Sequence, residues 1–243
     1  EGGRGRTSSQ GYGLVPLATS GFAAYDAPMT TPDTAAVDLG ALYRAARERI
    51  SALVTADGVD PDLVVPATPE WTVQNVIGHL SGISVDGVNG NMAGAPGDEW
   101  TAAQVERNRG RSIEELVDEW SQYGPLMEGF LSGPGGQMAG AAVMDIHTHE
   151  ADLRHALGLP FEVPAEFLAW AGPQMRDGFH EQVAAAGLDP VDLDVDDLTL
   201  FRARLGRRTE DEVRNYRWSA EPSPYLGAFF IFGRAARSLG EGE

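Results

Sequence analysis

Apolar residues recur at helical spacing in four long segments within the first two thirds of the chain. Segment 37–54 repeats them every three or four positions, as one face of a helix requires. In the second segment Thr72 is a suitable N-cap, and the third begins near Ser112 with Glu115 at the capping-box position. The fourth spans about 141–157. We predict a helix in each segment and a four-helix bundle as their arrangement, with an all-α fold class overall.

The connections and the C-terminal part complete this prediction. The apolar face of the third helix is expected to comprise Leu116, Trp120, Tyr123, Met127 and Phe130. We interpret 86–111 as a connection without a helix, too long for a tight hairpin. Additional C-terminal helices are predicted at about 165–186, 196–205, 209–215 and 224–230. The run "VDLDVDD" alternates like a strand, but a single run does not make a sheet.

Three regions follow from these patterns. Residues 1–28 are rich in Gly, Ser, Thr and Ala without periodicity, so we interpret them as an extension or tag outside the fold. Region 37–160 is the predicted bundle, and 161–243 is expected to be a helical region packed on it. Phe229, Phe230 and Phe232 are interpreted as exposed apolar positions, through which a homodimer would form.

Charge and composition restrict the function. The net charge of −18 argues against nucleic acid as a partner, because phosphate binding needs a basic surface. All 18 basic residues are Arg, which hints at GC-rich coding and an actinobacterium-like source. The absence of Cys excludes disulfides and thiolate ligands. Without a membrane span of about 18 apolar residues or a secretory signal, we expect a cytoplasmic protein with no membrane partner.

The stretch "MDIHTHEADLRH" (144–155) holds three of the five histidines. Residues three or four apart share a helix face, so Asp145, His149 and Asp152 form one stripe, whereas His147 and His155 point elsewhere. Two ligands on one helix do not suffice for a metal. His79 flanks the apolar stripe of the second helix and is the natural third ligand.

This donor set suits a catalytic divalent ion such as Zn²⁺, although structural alternatives stay open. A histidine beside an apolar stripe is often a hydrogen-bonded core residue, and an Asp and a His four apart are common on helices. Glu150 and Arg154 are spaced for a surface ion pair. His180 is expected to face solvent.

Three stretches resemble the DinB-like, mycothiol-dependent maleylpyruvate isomerase family of actinobacteria. "TPEWTVQNVIGHLSG" (68–82) is similar to its Pro-x-Trp-Thr-Val motif leading into His-Leu. "DIHTHEADLRHALGLP" (145–160) is similar to its second motif, and "LTLFRARLGRRTEDEVRNYRWSAEPSPYLGAFFIFG" (198–233) to its C-terminal stretch. Together they cover most of 37–235.

The resemblance implies a bundle that holds a divalent metal, usually zinc, through His79, Asp145 and His149. Many members carry Glu where this chain has the shorter Asp145. The implied chemistry is attack by a metal-activated thiol, such as mycothiol, on an electrophilic small molecule. Asp152 would serve catalysis by orienting His149, with a helix-packing hydrogen bond as its alternative role.

Two arginines and the C-terminal length refine the expected reaction. Arg207 and Arg208 would bind an anionic group of the cofactor or substrate, with an exposed arginine pair as the alternative. Isomerase members often carry an α/β domain after the bundle, whereas the 80 or so residues here are predicted to be helical. We therefore expect a thiol transferase or another metal-dependent enzyme rather than maleylpyruvate isomerisation itself. A metal-dependent hydrolase and a non-enzymatic metal- or partner-binding protein are the competing hypotheses.

Overall fold

The computed structural model describes residues 37–160 and 162–240, so the predicted extension at 1–28 lies outside the described residues. The described chain is mainly helical, which confirms the all-α fold class. The helices are α1 (Leu39–Val54), α2 (Val73–Asn89), α3 (Asp98–Arg107), α4 (Ile113–Leu131), α5 (Gly140–Ala156), α6 (Ala165–Ala185), α7 (Asp197–Arg202), α8 (Glu210–Arg214) and α9 (Leu226–Phe229). Two short strands are β1 (Leu193–Asp194) and β2 (Arg217–Trp218).

The predicted helix starts are confirmed by their caps. Thr72 accepts a hydrogen bond from the backbone N–H of Asn75, whose side chain accepts one from the Thr72 N–H in return. Ser112 and Glu115 form the same reciprocal capping box at the start of α4. Each box satisfies backbone donors that would otherwise lack partners, and this is why the helices begin where they do.

Helices α1, α2, α4 and α5 pack around a shared apolar core. Helix α2 packs against α4 and α5, and α1 packs against the same two helices. Trp120 and Tyr43 are almost fully buried there, and their polar atoms meet at the hydroxyl of Ser84. Buried aromatic residues with satisfied polar atoms stabilise such a core strongly. This packing fixes where α2 and α5 face each other.

The 86–111 connection differs from the prediction, because it contains α3. That helix has Asp98 and Glu99 in its first turn and Arg107 in its last, which favour a helix through its dipole. Its short length and weak apolar periodicity concealed it.

The predicted apolar face of α4 is also wrong at Phe130, half of which is exposed.

The C-terminal region contains a two-stranded sheet, contrary to the prediction of none. Strand β1 pairs antiparallel with β2, so that Leu193 lies opposite Trp218. The partner strand was missed because two residues are too few for an alternating pattern. Phe229 was interpreted as exposed, but it is fully buried in this region against Phe179. Of the three phenylalanines proposed for dimer contact, Phe232 is the exposed one and Phe230 is half-buried.

A sharp turn follows α7 and positions the next arginine. Gly206 adopts φ +84°, and a Cβ at this position would approach the carbonyl oxygen of Gly233 to 2.8 Å. A side chain would therefore be strained both by the backbone angle and by the contact. The turn brings Arg207 back toward α5, on the same side as Arg202.

One face of α5 is covered by this C-terminal region. His147 stacks on Phe167 of α6 with ring centroids 3.9 Å apart, and both are buried. Apolar residues of both parts of the chain form one continuous core. Among residues 37–160 and 162–240, no helix combines the length and apolar character that a membrane crossing requires.

Candidate metal centre

Three side chains predicted as metal ligands converge between α2 and α5. His79 Nε2 lies 3.3 Å from Asp145 Oδ2, and His149 Nε2 lies 3.5 Å from Asp145 Oδ1. One donor atom from each residue lies within 4.8 Å of the other two. The two imidazoles are almost fully buried, whereas Asp145 keeps 30% of its side chain exposed. The centre therefore opens to solvent on the Asp145 side.

His79 is held by a hydrogen-bonded relay from α3. Its Nδ1 lies 2.8 Å from the amide oxygen of Gln104. The Gln104 amide nitrogen donates to Asp86 at 2.9 Å, and Arg107 donates to the other oxygen of that carboxylate at 3.0 Å. Because an amide oxygen can only accept, a hydrogen bond at this contact requires His79 to donate from Nδ1. Nε2 is then free to bind a cation.

His149 is held on its other side by a carboxylate. Its Nδ1 lies 3.1 Å from Asp152 Oδ2. Asp152 is fully buried and accepts hydrogen bonds from Arg202 at 2.8 Å and from Arg207 at 2.6 Å. A carboxylate on Nδ1 orients an imidazole ligand and raises its basicity. Asp152 therefore lies beside His149, close enough to orient it, and at the same time joins α5 to the C-terminal region through the two arginines.

The electrostatics of Asp152 follow from these contacts. Burial acts to raise the pKa of its carboxyl, because a charged group loses hydration. Arg207 and Arg202 outweigh burial and hold the pKa well below its usual value. Asp152 is thus a carboxylate at neutral pH, and its charge stays fixed near His149.

Asp145 is also ionised at neutral pH. Burial acts to raise its pKa, but the neighbouring His149 and His79 hold the pKa below its usual value. Its Oδ2 atom is buried without a hydrogen-bond donor. Two imidazole nitrogens and a carboxylate thus meet in one place, where a divalent cation would find three ligand atoms.

The spacing of these atoms fits a small divalent ion. Ligand atoms about 2.0–2.1 Å from a tetrahedral zinc ion lie roughly 3.3 Å from each other. His79 Nε2 and His149 Nε2 lie close to that distance from Asp145, at 3.3 Å from Oδ2 and 3.5 Å from Oδ1, and one ligand atom from each of the three residues lies within 4.8 Å of the other two. Three protein ligands leave a fourth position for an exogenous group, which is the arrangement of catalytic zinc sites.

Trp71 forms an aromatic wall beside both imidazoles. Its ring centroid lies 5.1 Å from that of His79 and 5.8 Å from that of His149. A tight turn before α2 places it, with the backbone N–H of Val65 donating to the Trp71 carbonyl at 2.9 Å. The indole thus shields the ligand rings from water on one side.

Other predicted residues lie outside the centre. As expected, His147 is not part of it and lies instead against Phe167, while the exposed His180 lies on α6. Arg207 and Arg208 do not form an exposed pair, because Arg207 is buried against Asp152. The side chain of Arg208 donates to the carbonyl of Arg207 and interacts with the hydroxyl of Tyr216.

The predicted ion pair between Glu150 and Arg154 is present, but its predicted position on the surface is wrong. Glu150 is 2% exposed, and Arg49 of α1 donates two hydrogen bonds of 2.6 Å to its carboxylate. Arg154 approaches the same carboxylate at 3.5 Å. Helix spacing correctly placed the two residues side by side but did not reveal that α1 covers them.

Sequence reasoning missed several residues that support the centre. Gln104 was missed because α3 was interpreted as loop, and the acidic residues that follow Gly97 were the available signal. Trp71 was used only as a landmark before the N-cap. Arg202 had no local signal, because the residue that it pairs with lies 50 positions earlier in the chain.

No protein-family model, curated protein or solved structure matches this chain. The family resemblance therefore stays a prediction.

Proposed function

We propose that this chain is a metal-dependent enzyme built on a DinB-like bundle, with zinc as the resident ion. In this proposal the zinc ion activates an external thiol, such as mycothiol. The thiol is then transferred to an electrophilic small molecule, or it promotes the isomerisation of that molecule. The observation that carries the proposal is the convergence of His79, Asp145 and His149 within 4.8 Å. The sequence resemblance adds the thiol.

The donor set supports a divalent ion of borderline softness. Imidazole and carboxylate groups are typical ligands of catalytic zinc, and each histidine has its Nδ1 within 3.1 Å of a side-chain oxygen. When bound, such an ion lowers the pKa of a coordinated thiol or water, so that the anion is present at neutral pH. All other functions of the centre would be performed by side chains of the protein.

Its residues then orient, shield and balance charge. Gln104 and Asp152 hold the two imidazoles, and Trp71 excludes water from one side. The guanidinium groups of Arg202 and Arg207 balance the carboxylates of Asp152 and Asp145. A divalent cation would therefore leave net positive charge at the centre, which favours an anionic fourth ligand such as a thiolate.

Metal analysis tests the site itself. We expect the purified protein to contain close to one equivalent of zinc and to lose thermal stability with a chelator, because a ligand bound only by the folded state stabilises it. His79→Ala should abolish both the metal content and the chelator effect. His147→Ala, on the same helix as two ligands, should retain them. If the wild-type protein contains no metal and its thermal stability does not respond to Zn²⁺ or a chelator, the proposal of a metal-dependent enzyme is refuted.

A second experiment separates thiol chemistry from hydrolysis. The zinc-loaded protein is mixed with mycothiol and either a chloroarene or maleylpyruvate, and product is followed by mass spectrometry. We expect a thiol adduct or an isomer that His79→Ala does not form. Turnover of ester or amide substrates without thiol would instead favour a hydrolase on the same bundle. A protein that binds zinc but performs neither reaction would favour the non-enzymatic hypothesis.

A further inference from the structure

The side of His79 that faces away from the candidate metal centre contacts α3, in the connection between the second and third predicted helices. Gln104 of α3 is fully buried, and its amide oxygen lies 2.8 Å from His79 Nδ1. A buried glutamine at this distance has to satisfy both ends of its amide, so its second contact decides which end faces the histidine.

That second contact is Asp86 on α2. Arg107 donates to one oxygen of the Asp86 side chain at 3.0 Å, so that side chain serves as a hydrogen-bond acceptor here. The Gln104 amide nitrogen must therefore face Asp86, which it reaches at 2.9 Å, and the oxygen must face His79. The orientation of the amide, and with it the His79 tautomer, follows from the position of the Asp86–Arg107 pair, whose carboxylate lies two turns after His79 on α2.

The approach of α3 depends on two glycines of α2 that flank His79. A Cβ at Gly82 would lie 2.9 Å from the Cβ of Gln104, and one at Gly78 would lie 3.0 Å from the Cβ of Asn108. Neither position tolerates a larger residue without displacing α3. The spacing Gly-His-Leu-Ser-Gly therefore lets α3 press Gln104 against the histidine.

We propose that Gln104 is a positioning residue of the metal centre, which holds His79 in the Nδ1–H tautomer through its contact with Asp86. In that tautomer the Nε2 lone pair points at Asp145 and is ready for the ion. The consequence for metal binding rests on the proposed function, whereas the consequence for the tautomer concerns the metal-free protein alone.

The test compares Gln104→Leu with Asn108→Ala. Both remove a buried polar contact between α3 and α2. Asn108 donates to the Gly78 carbonyl at 2.7 Å and accepts from Arg111, whereas Gln104 contacts His79 itself. In the metal-free protein, two-bond ¹⁵N–¹H NMR reports the His79 tautomer. Zinc affinity is measured by competition with a chromophoric chelator, and the Co²⁺ spectrum reports the coordination geometry.

We expect wild-type His79 to carry its proton on Nδ1, and Gln104→Leu to shift it toward Nε2. The same variant should lose about 10- to 100-fold in zinc affinity, as supporting residues of metal ligands typically do. Asn108→Ala should keep the wild-type tautomer and affinity. Gln104→Glu, which retains an acceptor for Nδ1, should restore the tautomer, and this rescue does not depend on how well the leucine variant folds.

Two results would overturn the proposal. One is an unchanged tautomer in Gln104→Leu, and the other is an equal change in Asn108→Ala, which would mean that packing alone is responsible. If the wild-type protein binds no zinc but the tautomer shifts as expected, the role of Gln104 in positioning His79 stands and the proposed function fails.

Discussion

The two histidines of the candidate metal centre are supported in different ways. His79 depends on a neutral amide, and Gln104 lies only 25 residues away in the chain. His149 depends on a buried carboxylate, whose two arginines lie 50 and 55 residues further along. The first support is built within the helical region before Pro160. The second joins that region to the C-terminal one, so that stability and metal binding are coupled there.

This difference has an energetic basis. Loss of a neutral hydrogen bond leaves one polar group without a partner, whereas loss of one member of a buried ion cluster leaves charge uncompensated. We therefore expect substitutions around His149 to lower the free energy of unfolding, and substitutions around His79 to lower mainly the affinity for metal. The following experiments address this contrast, from the largest expected effect to the smallest.

Asp152→Ala should have the largest effect on folding. It leaves Arg202 and Arg207 buried beside each other without their carboxylate, and breaking a buried pair costs about 3–5 kcal/mol of unfolding free energy. Urea denaturation measures this loss. Asp194→Ala, which breaks an exposed pair with Arg217, is the control and should change little. Equal losses in the two variants would contradict the contrast.

Acid should destabilise the α5 interface through His147. Burial lowers the pKa of this histidine to about 4, although its contact with the Val143 carbonyl acts to raise it. The unfolded chain binds a proton near pH 6.5, so stability falls as pH decreases from about 6.5 toward 4, by about 3 kcal/mol in total.

His147→Gln tests this dependence, because it removes the titrating group. Denaturation of the metal-free protein across this pH range should give a flatter profile for the variant than for the wild type. Gln104→Leu, on the other side of the centre, should retain the wild-type slope. A wild-type slope in His147→Gln would assign the acid sensitivity to other groups.

Arg207 and Arg208 should differ although they are neighbours. Arg207→Gln removes a charged hydrogen-bond donor from Asp152, a change of about 1.5–3 kcal/mol in unfolding free energy. It should also weaken zinc binding, because the carboxylate beside His149 loses one of its anchors. Arg208→Gln should do neither. Thermal unfolding with and without zinc measures both stability and zinc binding. Equal losses in Arg207→Gln and Arg208→Gln would contradict this difference and would favour the prediction that the two arginines bind an anion together.

Trp71→Phe should have the smallest effect. Phenylalanine keeps an aromatic ring beside both imidazoles, so the loss should be at most about 1 kcal/mol. In the wild-type protein, Co²⁺ should quench the Trp71 emission because the indole lies beside both ligand rings. The variant should lose that quenching but retain Co²⁺ binding by absorbance. Unchanged quenching in Trp71→Phe would assign the signal to another tryptophan.

The sequence could select three side chains that converge in the structure because helix geometry is local. Asp145 and His149 are four residues apart on one helix, and this alone places both on one face. Selecting His79 required only that its helix be amphipathic and that it flank the buried stripe. The supports were not accessible in this way, since Gln104 lies on a short helix with little periodicity and Arg202 carries no local sign of its partner.

Errors about burial had the same origin. Glu150 was assigned to the surface and Phe229 to an exposed patch, yet other elements of the chain cover both. A pattern along one helix reports which residues share a face, but not which second element packs on that face. The strand at Arg217–Trp218 was missed for a related reason, because its pairing partner lies more than twenty residues away.

The sequence by itself determined where the long helices begin, which residues share their faces and which three side chains are able to meet, because capping and helical periodicity depend on neighbours within a few positions. The tertiary structure alone decided what lies behind each histidine: an amide relay for His79 and an ion cluster for His149. Those contacts join residues far apart in the chain, and they form only when packing brings the helices together.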